Sequence, residues 1–363
     1  MLTSISTAHG EIAFPAFLPD GTRGVVSAVS AGDLLACQVP AVQMNVFHLM
    51  QNPGSSTVTA LGGLHGLAGW RKPISTDSGG FQVYSLIRQN AKFGTLNDKG
   101  AIFRIEDRKF QLTPEKSIQL QMSYGADILF CLDDCTHVDG DDSVQKQSVT
   151  RTIAWAKRCK AEFDRLCAEK KAPIPPKLFA VIQGGNHLTL RRDCAQALLD
   201  MGFDGFGYGG WPLDSQNRLL EDLLGFVREQ IPAEYPLHAL GIGHPPNVAA
   251  CVRLGYPMFD STMPTRDARH GRLYAWQVAP HTSNLHGTDW FGYVYPTDKK
   301  HIKESRPICS HCDCPTCQQY ALGYIHHLYK IGDPLYQRLT TLHNLRFMTR
   351  LMERLKVCLA ETR

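Results

Sequence analysis

Short apolar runs alternate with amphipathic segments along most of this 363-residue chain, and this alternation limits its possible folds more than any other feature. Several of the amphipathic segments open with a proline or with a capping serine or asparagine, as helices do. Strands that alternate with helices are typical of a parallel sheet, so an α/β architecture is predicted. The predicted strands are 41–45, 73–76, 127–132, 178–182, 205–208, 238–241 and 257–259, and the predicted helices are 114–124, 143–170, 188–201, 216–230 and 246–254.

Seven strands with intervening helices favour a (β/α)8 TIM barrel, formed by residues 1–363 as one domain, over an open doubly wound sheet. The eighth strand is expected within the first 40 residues or between Phe93 and Phe103. No G-x-G-x-x-G motif follows a predicted strand, and the sequence contains no P-loop. The nucleotide-binding versions of the doubly wound fold therefore lose support.

Polar residues and glycines follow most of the predicted strands. They are Asp77, Asp133, Asp134, Gln183, Gly209, Gly210, Gly243 and Asp260. The carboxyl ends of barrel strands meet at one mouth, where barrel enzymes keep their active sites, so these residues are expected to share a pocket. A single acid at such a position is commonly only a helix cap. Several acids and a glutamine, all so placed, are harder to explain in that way.

Two carboxylates that face one pocket can break a glycosidic bond with retention, one as nucleophile and the other as proton donor. A third acid and a glutamine beside glycine-rich loops can read the edge of a planar heterocycle. Gly79-Gly80 and Gly184-Gly185 let the backbone approach such a ligand, and Phe81 offers a stacking face. The residues alone indicate a transferase or hydrolase that acts on a base or a sugar.

A cluster of thiols near the carboxyl end predicts a zinc site with four ligands. Cys312, Cys314 and Cys317 form the cluster, and Cys309 lies just upstream. Four cysteines could bind the metal alone, or one of five histidines in range could contribute: His301, His311, His326, His327 or His343. An iron–sulfur cluster is the main competitor. Disulfides suit a small secreted domain better than this chain, and the other eight cysteines, scattered through apolar or helical segments, favour a reducing, cytoplasmic location.

The charge distribution allows a nucleic-acid partner without proving one. The formal net charge is only +4, but the stretch from Lys299 onward is distinctly basic. This end could offer phosphates a positive face, or it could be an ordinary solvated helix surface. No run approaches the roughly eighteen apolar residues that a membrane-spanning helix needs, so no membrane partner is expected.

Several segments resemble motifs of the tRNA-guanine transglycosylase family, in family order and over almost the whole chain. They are Thr76–Gln82, Pro15–Pro19, Leu112–Ile118, Trp155–Cys159, Phe259–Arg266, Tyr324–Leu328 and His343–Asn344. The resemblance implies a (β/α)8 barrel with a zinc-binding subdomain at 298–345 and a C-terminal helix at 334–357. It also implies an enzyme of the queuosine pathway, often homodimeric, that exchanges the wobble guanine of tRNA for a 7-deazaguanine base, preQ1 or queuine.

The same resemblance implies residue roles. Asp260 matches the nucleophile that forms a covalent intermediate with RNA, and Asp77 matches the general acid/base. The implied base-binding residues are Asp133, Gln183, Gly210, Phe81 and Leu240, and the implied ligands of one structural Zn²⁺ per chain are Cys312, Cys314, Cys317 and His343, without Cys309. Arg266 and Arg269, just after the nucleophile, are expected to contact RNA phosphates or else to form an ion pair at the barrel rim.

The chain departs from the usual bacterial pattern where substrate choice is made. Trp211–Ser215 replaces a Leu-Ala-Val-Gly-Glu stretch, His244 replaces a lysine, Asp134 a glutamate and Ser261 a cysteine. The changed loop after Gly210 borders the 7-substituent of the base, so preQ1 and queuine both stay open. Two further interpretations stay open: a relative that acts on another 7-deazaguanine or on DNA, and a non-catalytic RNA-binding subunit. The retained acids and Gln183 argue against the non-catalytic subunit.

Overall fold

The computed structural model describes residues 2–90, 92–105, 108–282 and 285–361. Eight parallel strands form one sheet in which each strand after the first pairs with the next one along the chain, the first two do not pair directly, and the last pairs with the first. The gap between the first two is bridged where the Gly21 N–H donates to the Gln43 carbonyl at 2.6 Å. The predicted (β/α)8 barrel is therefore confirmed. Its strands are β1 Ala16–Pro19, β2 Val42–Asn45, β3 Ile74–Asp77, β4 Ile128–Phe130, β5 Lys177–Ile182, β6 Gly205–Tyr208, β7 Leu237–Ala239 and β8 Met258–Ser261.

The missing strand lies in the first 40 residues, as β1, so the first of its two expected placements is confirmed and the alternative, between Phe93 and Phe103, was wrong. That region instead belongs to a separate three-stranded antiparallel sheet made of Gly94–Asn97, Gly100–Ile105 and Arg108–Leu112. Gly100 has φ +141°, and a Cβ there would lie 2.4 Å from the Leu112 carbonyl oxygen, so the first hairpin of this sheet needs glycine.

Helices follow the barrel strands and cover the outside of the barrel. They are Ala31–Ala36, Val46–Leu49, Met50–Gly54 (a π-helical turn), Ser55–Ala60, Gly63–Ala68, Gly80–Gln89, Pro114–Tyr124, Asp142–Lys170, Leu188–Leu199, Glu221–Glu229, Pro245–Arg253, Met263–Arg269, Pro315–Gln319, Leu322–Ile331 and Pro334–Glu361, with 3₁₀ turns at Pro280–Thr282 and Lys299–His301. The helix predicted at 216–230 begins only at Glu221. Asp214 holds the preceding segment in a turn, because its Oδ1 accepts from the N–H groups of Gln216 and Arg218 at 2.8 and 2.9 Å.

The barrel interior is filled by alternate residues of the strands. They include Ala16 and Leu18 of β1, Ile128 and Phe130 of β4, Phe179 and Val181 of β5, and Met258 of β8, all buried in one apolar cluster. Because side chains alternate between the two faces of a strand, the next interior positions along β1, β5 and β8 are Asp20, Gln183 and Asp260. The apolar filling therefore gives way to polar groups at the carboxyl ends of the strands.

An N-terminal hairpin, Ser4–Thr7 with Gly10–Ala13, adds Ile5 and Ile12 to this apolar cluster. Asp127, at the amino end of β4, anchors the hairpin through His9 Nδ1 at 2.8 Å and also accepts from the Ile74 N–H at 2.9 Å. Asp127 is almost fully buried, so these hydrogen bonds satisfy a carboxylate that would otherwise be costly to bury.

The C-terminal helix, Pro334–Glu361, fastens the end of the chain to the barrel. Asn344 accepts from the Tyr274 N–H at 3.0 Å and donates to the Pro264 carbonyl at 2.9 Å. These bonds join the helix to the strand Leu273–Trp276, which pairs with Phe291–Val294, and to the helix that directly follows β8. Within the described part of the chain, no helix combines the length and apolarity that crossing a bilayer requires.

Candidate active site and metal centre

The mouth of the barrel brings together most of the residues singled out in the sequence. Asp77 ends β3, Asp133 follows β4, Gln183 follows β5, Gly210 follows β6, Leu240 follows β7 and Asp260 lies within β8. In a ring of eight strands, β4 stands opposite β8 and β5 stands opposite β1. Asp133 and Gln183 therefore lie across the mouth from Asp260.

One oxygen of Asp260 is held in place by two hydrogen-bond donors. Oδ1 accepts from the Gly241 N–H at 3.1 Å, and His238 Nε2 lies 2.9 Å from the same oxygen. His238 extends inward from β7 and is completely buried. Oδ2 has no hydrogen bond from the described residues, so the carboxylate has one anchored oxygen and one that can react.

The surroundings of Asp77 favour its protonated form. Burial raises the pKa of its carboxyl well above the ordinary value, and the negative charges of Asp20 and Asp260 raise it further. Asn45 at the end of β2 donates to Oδ2 at 2.5 Å and opposes this shift only in part. A carboxyl group whose pKa is raised holds its proton more strongly and is better suited to donate it to a leaving group.

Asp133 and Gln183 form a joined pair on the opposite side. Gln183 Nε2 donates to Asp133 Oδ2 at 2.7 Å, and both side chains are buried. Burial raises the pKa of Asp133 to about 6, while the bond from Gln183 limits the rise. Gln183 Oε1 has no partner among the described residues. The pair therefore presents free acceptor positions to a ligand with N–H groups.

Arg191 supports the loops that carry this pair. The guanidinium is fully buried and donates from Nη1 to the carbonyls of Ile182 and Gly209 at 2.6 and 2.8 Å, and from Nε to Gly185 at 2.9 Å. It also lies over the Tyr208 ring, 4.4 Å from the centroid. These contacts tie the ends of β5 and β6 together and leave little freedom in the position of Gln183.

The rim above the Asp133–Gln183 pair carries exposed aromatic rings. Phe81 is 45% exposed, and its ring centroid lies 5.6 Å from that of Trp211. Trp211 in turn lies 5.9 Å from the ring of His137. Leu240 packs lower, on the apolar filling of the barrel. The substituted loop after Gly210 thus supplies a ring to the wall of the mouth.

The helix Met263–Arg269 directly follows β8 and places two arginines beside the mouth. Arg266 is exposed and Arg269 is half-buried. Neither guanidinium forms an ion pair with the acids in the described ranges, and Arg269 Nη1 has no hydrogen-bond partner there. The rim ion pair is therefore not observed. Burial and the neighbouring Arg266 lower the pKa of Arg269, as expected for a cation that lacks an anionic partner.

A metal-binding group lies between the last helices. The ligand atoms of Cys312, Cys314, Cys317 and His343 all lie within 4.8 Å of one another. His343 Nδ1 is 3.5 Å from Cys314 Sγ and 3.3 Å from Cys317 Sγ, close to the spacing of two ligands bound at about 2.0–2.3 Å to one tetrahedral ion. The four residues can therefore hold a metal.

His343 is oriented for this purpose by its other ring nitrogen. Nε2 lies 2.6 Å from the Tyr274 carbonyl oxygen and donates to it, which leaves the lone pair on Nδ1 for a metal. Cys309 lies outside the group, with its Sγ directed to the Trp276 carbonyl at 3.9 Å.

Four residues of the site were missed by the sequence reasoning: Asp20, Asn45, His238 and Arg191. Strand alternation was the available signal for three of them. Asp20 comes two residues after the interior Leu18, Asn45 ends β2, and His238 comes two residues before Leu240. Arg191 lies on a helix and reaches back to the loop, a contact that no spacing rule predicts.

The fold and the mouth define a (β/α)8-barrel enzyme with several carboxylates at the carboxyl ends of its strands. A family model described as queuine tRNA-ribosyltransferase matches residues 2–363. A queuine tRNA-ribosyltransferase of Novosphingobium aromaticivorans is 35% identical over 99% of this chain and 91% of its own length. One of Halothermothrix orenii is 35% identical over 99% and 90%, and one of Pseudoalteromonas atlantica is 37% identical over 97% and 89%. The chain belongs to the queuine tRNA-ribosyltransferase family of tRNA-guanine transglycosylases.

Proposed function

We propose that this enzyme exchanges the wobble guanine of target tRNAs for a 7-deazaguanine base, preQ1 or queuine, through a covalent bond between Asp260 and the RNA. The observation that supports this most directly is the anchored Oδ1 and free Oδ2 of Asp260, facing the Asp133–Gln183 pair across the mouth. A base held by that pair would direct its glycosidic bond toward Asp260.

In the first step, a lone pair of Asp260 Oδ2 forms a bond to C1′ while the bond from C1′ to N9 of guanine breaks. The electrons of the broken bond pass to guanine, which takes a proton from Asp77. In the second step, Asp77 accepts the proton of the incoming base, whose nitrogen attacks C1′ and displaces Asp260. Two displacements at one carbon retain its configuration.

The raised pKa of Asp77 suits the first of these proton transfers. Burial, Asp20 and Asp260 favour its neutral form before guanine leaves. By the time Asp77 has given up its proton, Asp260 has formed its bond to C1′ and no longer carries a negative charge. One of the charges that raised the pKa is then absent, and the Asp77 carboxylate can persist until the new base enters.

Asp133, Gln183 and Gly210 are proposed to read the base. The Asp133 carboxylate would accept from the adjacent N–H groups of a guanine-like edge. The second N–H of the Gln183 amide, beside the one that Asp133 accepts, and the Gly210 N–H would donate to the carbonyl of that edge. Phe81 and Leu240 would cover the two faces of the ring. The target base must leave its stack to reach this pocket, so the RNA would bind with that nucleotide flipped out.

Arg266 and Arg269 are proposed to bind phosphates beside the flipped nucleotide, because they lie one helical segment beyond the nucleophile and lack partner acids among the described residues. The basic stretch from Lys299 onward would extend this surface.

The Cys312, Cys314, Cys317 and His343 group is proposed to hold one structural Zn²⁺, within a zinc-binding subdomain at 298–345. Three thiolates and one imidazole fill a tetrahedral shell, so such an ion has no open position for a water molecule and supplies stability rather than chemistry. No two of the twelve cysteines, all of which lie in the described part of the chain, form a disulfide bond, which fits a reducing, cytoplasmic location.

A homodimer is proposed as the working state. Several large apolar side chains near the subdomain are exposed: Ile302, Tyr324, Tyr329 and Ile331. Such a group is typical of a surface that a partner covers.

A base-exchange assay tests the proposed function. Unmodified target tRNA is incubated with the enzyme and labelled guanine, preQ1 or queuine in separate reactions, and label in the RNA is measured. Incorporation of guanine and of one of the two 7-deazaguanines is expected. Failure to incorporate any of the three bases would refute the proposal, and the favoured 7-deazaguanine identifies the substrate.

A further inference from the structure

Asp20 is an acid at the mouth whose only part in the proposed mechanism is to raise the pKa of Asp77 by its charge. It follows β1 on the interior side of the strand, after Ala16 and Leu18. No lysine, arginine or histidine pairs with it among the described residues. Because like charges repel, a third acid close to Asp77 and Asp260 makes all three carboxyl groups harder to ionise. A ligand that donates a hydrogen bond to Asp20 would offset part of this cost.

The ring of strands places Asp20 on the sugar side of the site. β1 is the neighbour of β8, with Leu18 beside Asp260, and it stands opposite β5, which carries Gln183. A nucleotide whose base lies on Gln183 and whose C1′ meets Asp260 extends its ribose toward β8 and β1. Asp20 would therefore meet the ribose rather than the base.

Within an RNA chain the target ribose has one free hydroxyl, at C2′, since its 3′ and 5′ oxygens are in phosphodiesters. A carboxylate accepts strongly from such a hydroxyl. Thr22 Oγ1 donates to Asp20 Oδ1 at 2.9 Å, and the Thr22 backbone also favours the charged form of this acid. A carboxylate has about four acceptor positions, so Thr22 orients Asp20 and leaves lone pairs for a ligand.

A second polar side chain with an unsatisfied hydrogen-bonding atom lies beside Asp20. Gln43 is on the interior side of β2, between Ala41 and Asn45, and its backbone forms the bridge to Asp20 that closes the barrel. Its side chain is only 2% exposed, yet Oε1 has no partner in the described part of the chain. A hydroxyl has one hydrogen to donate, which Asp20 can accept, and its oxygen can accept from the amide N–H of Gln43. The amide oxygen and nitrogen exchange places when the group turns over, so Gln43 can present that N–H to the hydroxyl.

We propose that Asp20, assisted by Gln43, binds the 2′-hydroxyl of the target ribose and makes the enzyme select RNA over DNA. This rests on the proposed base exchange. The 2′-hydroxyl is the group by which a protein can distinguish the two nucleic acids at one site. Burial and the charge of Asp260 raise the pKa of Asp20 to about 7, as expected for an acid that lacks its ligand.

The test compares two target RNAs of the same sequence, which differ only in riboguanosine or 2′-deoxyguanosine at the target position. The rate constant kcat/KM for exchange of labelled guanine is measured for wild type, Asp20→Ala, Asp20→Asn and Asp164→Ala. Asp164 lies on the outer helix, is 55% exposed and serves as the matched control. Thermal unfolding of each variant checks that it is folded.

Wild type is expected to favour the ribose substrate by about tenfold or more, the effect of losing a hydrogen bond to a charged group. Asp20→Ala should lower exchange into the ribose RNA by about that factor more than exchange into the deoxy RNA, so that the preference vanishes. Any effect of the lost charge on Asp77 acts on both RNAs and cancels in their ratio. Asp20→Asn should retain part of the preference, and Asp164→Ala all of it.

A wild-type enzyme without the preference would overturn the inference, as would Asp20 variants that keep it or lose both activities equally. Absence of any guanine exchange by wild type into the ribose RNA would instead refute the proposed function itself, and the inference with it.

Discussion

His238 Nε2 lies 2.9 Å from Asp260 Oδ1 in the floor of the barrel mouth. The histidine is fully buried and extends from β7, next to the strand of the acid that it contacts. Together with the Gly241 N–H it fixes the direction in which the other carboxylate oxygen points.

The first prediction concerns this contact. His238→Phe should lower kcat of exchange by about 10- to 100-fold, the loss expected when a hydrogen bond to a charged group is removed. The KM for tRNA should change little, because His238 is too deeply buried to touch RNA. Steady-state kinetics check this, with His281→Phe, at an exposed position, as control. A change in KM alone would argue against a positioning role.

The second prediction concerns Asp77. Asp77→Asn should lower exchange by about two orders of magnitude or more, since proton transfer contributes on that scale. The amide nearly preserves the shape of the acid, so the fold should be retained. Initial rates with labelled guanine measure the effect, and Asp164→Asn provides the control. Exchange at the wild-type rate would remove Asp77 as the acid/base.

The third prediction is a pH dependence of base binding. The pKa of Asp133 is about 6, so its carboxylate predominates above that pH and gains a proton below it. The protonated form accepts fewer hydrogen bonds, and the KM for guanine should therefore rise as the pH falls from about 7 to about 5. The Asp133→Asn variant should have a high KM at every pH. A wild-type KM that is constant over this range contradicts the assignment.

The fourth prediction concerns the metal. Elemental analysis should find about one zinc per chain, as a closed four-ligand site holds. Cys309→Ser should keep it, because Cys309 Sγ points to a carbonyl outside the group, whereas His343→Ala should weaken binding. Retention with His343→Ala together with loss in Cys309→Ser would mean that the fourth ligand was wrongly chosen.

The alternation of short apolar runs with amphipathic segments predicted much of the barrel from the sequence. The polar residues that follow the predicted strands located its mouth. The first strand was not placed, because prolines stand on both sides of its apolar run, Pro15 before it and Pro19 after it, and leave only three apolar residues between them. Asp20 was overlooked for the same reason. Because β1 was not recognised, Asp20 was not seen to follow the end of a strand.

Interactions between distant segments could not be read from the sequence. The burial of Arg191 under two loops and the contact of Phe81 with Trp211 depend on how the loops close. The individual roles of Asp77 and Asp260 came from the resemblance to a family, since spacing showed only that two acids share a pocket.

The most direct test of the account is the mass of the protein after reaction with substrate tRNA in the absence of free base. Denaturing gel electrophoresis followed by mass spectrometry should reveal a protein–RNA adduct that lacks guanine and is attached at Asp260. Asp260→Ala should form none. An adduct that persists in Asp260→Ala would show that another residue attacks C1′, and the central claim would be wrong.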